Sequence, residues 1–177
     1  MTMLAYLFVL LAIAMRFMPH PWMFTPVAAS LLFFGARGPR RMIWIPFALL
    51  VVSDVILTKY YWAYHMSWDQ GVIWAWYAAI LWLGTRLTRH QKPLPVMGAA
   101  LASSVSFFVI SNFAVWAATD LYTKNLPGLV TSYTVAIPFF RHSLEGDLLF
   151  TAAMFATPVV IHAVASLING EDHAAAA

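Results

Sequence analysis

There is no cysteine among the 177 residues, which excludes disulfides, thiolate nucleophiles and cysteine-bound metals. Charge is nearly as scarce. Lysine, arginine, aspartate and glutamate make up 10% of the chain, against about a quarter in an ordinary soluble domain, too few to coat a water-facing surface. The formal net charge of +3 comes without a basic tract or basic-aromatic interleaving, so no nucleic-acid partner is expected. Three motifs are also missing: a Walker-type glycine loop ending in Lys-Ser or Lys-Thr, a His-Glu-x-x-His pair and a Gly-x-Ser-x-Gly elbow. The chain is read as a non-enzyme with no catalytic residue, no metal site and no cofactor.

What is present is apolar. Hydrophobic residues are 62% of the chain, and 13 Phe, 8 Trp and 7 Tyr cluster near the ends of apolar runs, as headgroup anchors do. The expected fold is an all-α integral membrane protein, one domain over 1–170, built as a bundle of about six short transmembrane helices. The spans are placed at 2–18, 22–36, 42–57, 71–86, 95–118 and 147–168. Pro19-His20-Pro21 ends the first, and Arg37 to Arg41 ends the second. Pro127-Gly128 and Pro138 make 128–141 look interfacial or re-entrant, and 171–177 looks like a frayed tail. Ala12-Ile13-Ala14 resembles a signal cleavage site, but no basic residue precedes the apolar core, so a span is preferred.

The loops 37–41 and 86–92 hold Arg37, Arg40, Arg41, Arg86, Arg89 and Lys92, which the positive-inside rule assigns to the cytoplasm. Both termini of a multi-pass inner-membrane protein would then be cytoplasmic, with 19–21, 58–70 and 119–146 outside. Small residues from Gly98 to Ser104, and Ala5, Ala12 and Ala14, suit close helix contact.

Polar groups inside apolar runs carry what chemistry there is. Asp54 follows Ser53 about a turn from the outer end of its span, where it is either a functional acid or a helix-end acid meeting headgroup water. Phe108, Asn112 and Trp116 recur every four residues and share a face, on which Asn112 binds a ligand or another helix. Asp147, just after Gly146, reads as the acid at a helix N-terminus. His142 and Glu145 are half a metal site with no second half. His162 faces a haem or chlorophyll, or bonds a neighbour.

The stretch Arg16 to Pro26, the motifs Phe34-Gly35-Ala36, Ser53-Asp54 and Ser111 to Trp116, and the run Pro138 to Asp147 together resemble DUF6580, a family of uncharacterised bacterial membrane proteins for which a transport role is expected. That family looks like the substrate-binding S components of energy-coupling factor transporters, six-helix proteins with outward-facing pockets. Pro138-Phe139-Phe140 followed by Gly146-Asp147 is similar to the element entering the last helix of biotin-type S components. Met23 and His142 depart from the pattern, each standing where Asn is usual.

The resemblance implies a substrate-capture subunit for a small, vitamin-like nutrient. Its ligand would sit near Asp54, Asn112, Trp116 and Asp147, with Arg16 and Thr25 at the rim and Tyr133 and Phe139 as walls. Besides the lipid bilayer and a small-molecule ligand, its partners would be a transmembrane coupling subunit and ATPase subunits. Two alternatives stand beside it: an accessory subunit of a larger membrane complex contacting pigment or haem through His162, and a membrane enzyme using Asp54, Asp147 and His142.

Overall fold

The computed structural model describes residues 1–18, 24–87 and 92–175, with side chains as far as 168. The expected turn at Pro19-His20-Pro21, the start of the second segment at Trp22, Met23, Arg89 and His90 lie outside the described residues. Among those described, the chain is all-helical and has no strand. Its elements are α1 (Thr2–Phe17), α2 (Val27–Arg37), α3 (Trp44–Ile56), α4 (Asp69–Arg86), α5 (Pro93–Ala118) and α6 (Leu126–Ala175). A 3₁₀ turn (Arg40–Met42) leads into α3 and a π-helical turn (Leu57–Tyr61) extends it.

The centre of the bundle is α2. Every residue from Val27 to Ala36 is buried, so this helix is apolar on all sides and has no solvent-facing stripe. Its hydroxyl, on Ser30, is turned back onto Val27 O at 2.8 Å. Around it pack α1, α4, α5 and α6. The closest approach is to α4, where Gly35 faces Gly84: a Cβ built on Gly35 would lie 2.9 Å from the Gly84 Cα. Here the absence of a side chain sets the helix spacing. Aromatic edges fill the rest, with Tyr6 on Phe34, Phe8 on Phe33, and Phe33 on Phe155, at centroid distances of 5.1, 4.9 and 5.2 Å.

Three helices are long and apolar enough to cross a membrane: 40–61, 93–118 and 126–168. That is fewer than the expected six. At about 1.5 Å per residue, the 11 residues of α2 reach only about half of a hydrocarbon core of about 30 Å. α2 is therefore a core element wrapped by other helices.

The largest departure from the sequence reading is α6. An interfacial piece ending near 141 and a separate span from 147 are expected, but a single helix of 50 residues runs through both, with Pro138 and Pro158 inside it. Arg141 and Glu145, which look like loop residues, instead form an i,i+4 ion pair at 2.9 Å on the exposed side of that helix. Asp147 consequently lies mid-helix, and its reading as an N-terminal acid fails. The true start is capped by Asn125, whose Oδ1 accepts from Gly128 N at 2.9 Å. The helix also continues through 171–175, where a frayed tail is expected.

Candidate functional site

Of the eight residues singled out from sequence, Arg16 and Asp54 are brought together most directly. They lie 38 positions apart, near the ends of α1 and α3, and form an ion pair between Arg16 Nη2 and Asp54 Oδ1. Arg16 Nη1 also donates to Ser53 Oγ at 2.8 Å, and Ser53 in turn donates to Leu50 O. From α4, Trp74 Nε1 donates to Asp54 Oδ2 at 3.0 Å and the Tyr77 hydroxyl reaches Oδ1 at 3.4 Å. Asp54 is therefore saturated: its two oxygens serve three donors from two helices, and its charge is matched by Arg16. Side-chain exposures of 15% for Arg16 and 6% for Asp54 place the pair inside the bundle. Such a network fixes the relative placement of α1, α3 and α4, because each donor loses its partner if one helix shifts.

Trp74 and Tyr77 are absent from the sequence-based site. Their spacing of three, which puts both on one face of α4, was the available signal, together with the need of any buried carboxylate for donors.

The remaining residues do not converge on this cluster. Asn112 donates to Phe108 O, four positions back in its own helix, at 2.7 Å. Trp116 Nε1 donates to Thr123 O at 2.9 Å, and Lys124 Nζ donates to both Trp116 O and Thr119 O. Together they tie down the α5–α6 turn. Thr25 is half-buried at the entrance to α2. Phe139 faces outward, whereas its neighbour Phe140 packs on Phe108 with ring centroids 4.6 Å apart. Asp147 is buried between α5 and α6, where Ser104 Oγ lies 2.6 Å from Oδ2. His142 and His162 are exposed, and among the described residues no group of three or more His, Asp or Glu is placed to hold a metal.

A cleft of about 390 Å³ opens between the start of α4, the second half of α5 and the start of α6. Trp68 and Val72 form one side, Val109, Ile110 and Phe113 the other, and Tyr133 the end. Tyr133 borders this groove, apart from the residues it was expected to join. Its hydroxyl donates to Val109 O at 2.8 Å, which holds the ring across the cleft. Asp54, Asn112 and Trp116 do not line it. No charged side chain lines it, and Trp68, Val109, Ile110 and Phe113 are themselves exposed, so it is a shallow apolar groove on the surface of the bundle.

A family of unknown function, DUF6580, matches residues 1–167. The chain belongs to it. No curated protein and no solved structure matches this DUF6580 member, so its chemistry has to be read from its own residues.

Proposed function

We propose that this DUF6580 protein is a polytopic inner-membrane subunit that captures a small amphipathic nutrient in the cleft between α4, α5 and α6. It passes the nutrient inward with separate coupling and ATPase subunits, since its sequence carries no nucleotide-binding motif of its own. The observation that supports the reading is the groove itself: an open apolar depression bordered by Trp68, Phe113 and Tyr133. The bundle also sorts its charges. Arg37, Arg40, Arg41, Arg86 and Lys92 occupy the α2–α3 and α4–α5 connections, joined where Arg40 Nη2 donates to Thr85 O at 3.2 Å. By the positive-inside rule that end is cytoplasmic and the cleft, near the opposite end, faces outward. The short helices α1, α2 and α4 complete a six-helix membrane domain around these ends. In this reading the Arg16–Asp54 cluster is a brace that fixes α1, α3 and α4 relative to one another.

Native mass spectrometry of the gently purified protein tests this. The expected result is a small co-purified molecule at one copy per chain that is lost when Val109→Trp fills the cleft. Retention of the molecule by that variant refutes the site.

A second reading, an accessory subunit of a larger membrane complex, is favoured by one feature: every side chain of α6 from 159 to 168 is exposed, although the stretch is almost wholly apolar. A bound pigment, or a large stable complex in the same experiment, supports that reading.

A further inference from the structure

The seam between α5 and α6 holds an acid with no counter-charge. Asp147 is 5% exposed, and among the described residues it takes part in no ion pair. The groups facing it account for this. Around Ser104, α5 carries only alanine, serine, valine, leucine and phenylalanine from Ala100 to Phe108. On the other side, the Phe24 ring covers Gly146, 3.2 Å from where its Cβ would stand. Val27 to Ala36 of α2 has no ionisable group, and Arg37 stands at that helix's far end. Arg16 and the Tyr77 hydroxyl are engaged with Asp54, and Arg141 with Glu145. His142 lies on the exposed side of α6.

Hydrogen counting then limits what the carboxyl can be. Ser104 has one hydroxyl hydrogen and two acceptors within reach, Asp147 Oδ2 at 2.6 Å and Ala100 O at 3.3 Å. An ionised Asp147 would take that hydrogen and still keep a full charge with a single donor in an apolar seam, an arrangement that burial penalises heavily. A carboxylic acid satisfies all three groups in series: Asp147 O–H donates to Ser104 Oγ, and Ser104 O–H donates to Ala100 O. At 2.6 Å, Asp147 and Ser104 leave no space for a metal cation between them. One turn along the same helix, the Thr151 hydroxyl is wholly buried and has no partner, so it does not serve as the missing donor.

We propose that Asp147 is a proton-binding site, and that the packed α5–α6 seam holds its acid form. On release, the O–H bond breaks, the proton passes to water and the carboxylate keeps the electron pair. The new charge draws water into the seam and loosens α6 from α5. This does not depend on what occupies the cleft.

Infrared spectroscopy of the full chain in lipid nanodiscs, with and without ¹³C-aspartate, tests it. At neutral pH a label-sensitive carboxylic acid C=O band is expected; Asp147→Asn, nearly isosteric, abolishes it, and Ser104→Ala shifts it by removing the hydrogen-bond acceptor. In parallel, hydrogen exchange of the seam amides, corrected for the intrinsic rate, rises with pH in the wild type and stays flat in Asp147→Asn. No acid band in the wild type, a band that survives Asp147→Asn, or a band that Ser104→Ala leaves at the same frequency overturns the proposal. The Ser104→Ala arm decides the matter even if Asp147→Asn fails to fold.

Discussion

Replacing Asp54 with Ala breaks the one buried ion pair among the described residues and leaves three donors without their acceptor: the Arg16 guanidinium, the Trp74 N–H and the Tyr77 hydroxyl. Stranding one partner of a buried pair costs about 3–5 kcal/mol, most of it the penalty for the charge left behind. Asp54→Ala should therefore destabilise the protein by that amount. Arg16→Met, which strands the carboxylate, should cost a similar amount, although Trp74 and Tyr77 still donate to it. The double variant strands no charge and should cost no more than either single change, giving a coupling of about 3 kcal/mol, the upper end of what contacting residues show. Equilibrium unfolding in mixed micelles, followed by tryptophan fluorescence, measures all four corners of this cycle, and Trp74 lies within the cluster as a reporter. Single-variant losses that simply add up in the double variant would show that Arg16 and Asp54 act independently, and would refute the account of the cluster as a three-helix brace.

Other outcomes follow from local geometry. Gly35→Ala should push α2 off α4, because the new Cβ meets Leu81 O and the Gly84 Cα; a loss of about 1–3 kcal/mol is expected in the same unfolding assay. Asn125→Ala removes the cap on Gly128 N and should lower stability by about 1 kcal/mol, with faster hydrogen exchange confined to the first turn of α6. Arg141→Ala should shift the midpoint by no more than about 0.5 kcal/mol, because the pair with Glu145 is solvent-exposed.

Much of the helical framework was legible in the sequence because apolar runs punctuated by Pro, Gly and arginine are strong signals. α1, α3, α4 and α5 fall within about two residues of the expected spans, the scatter normal for helix ends. α6 was misread because Pro138, Arg141 and Glu145 looked like breakers. A helix held on one face tolerates a proline by giving up one hydrogen bond, and it tolerates charges that pair four apart on the other face. The cluster was half legible. A carboxylate within an apolar run needs a cation, but Arg16 is 38 residues away, and only the packing of α1 beside α3 shows that it is the partner. Asn112, read as bonding a ligand or another helix, donates its amide hydrogen to its own helix, a local option the sequence pattern does not display.

The 43 residues of α6 from 126 to 168, largely apolar, measure about 65 Å at the usual helical rise, roughly twice the thickness of a hydrocarbon core. Standing along the bilayer normal, such a rod would thrust half its greasy length into water. In a membrane it must lean, bend where Pro138 or Pro158 already lacks a backbone hydrogen bond, or rest its surplus against another protein. Its two ends are not equally free. The first turns are lashed to α5 through Tyr133, and the middle is gripped at Ser104 and Asp147, whereas the side chains of the ten residues beyond Pro158 are exposed. With its hold near the seam and its far end exposed, any rotation of α6 about Ser104 and Asp147 would displace the distal arm most.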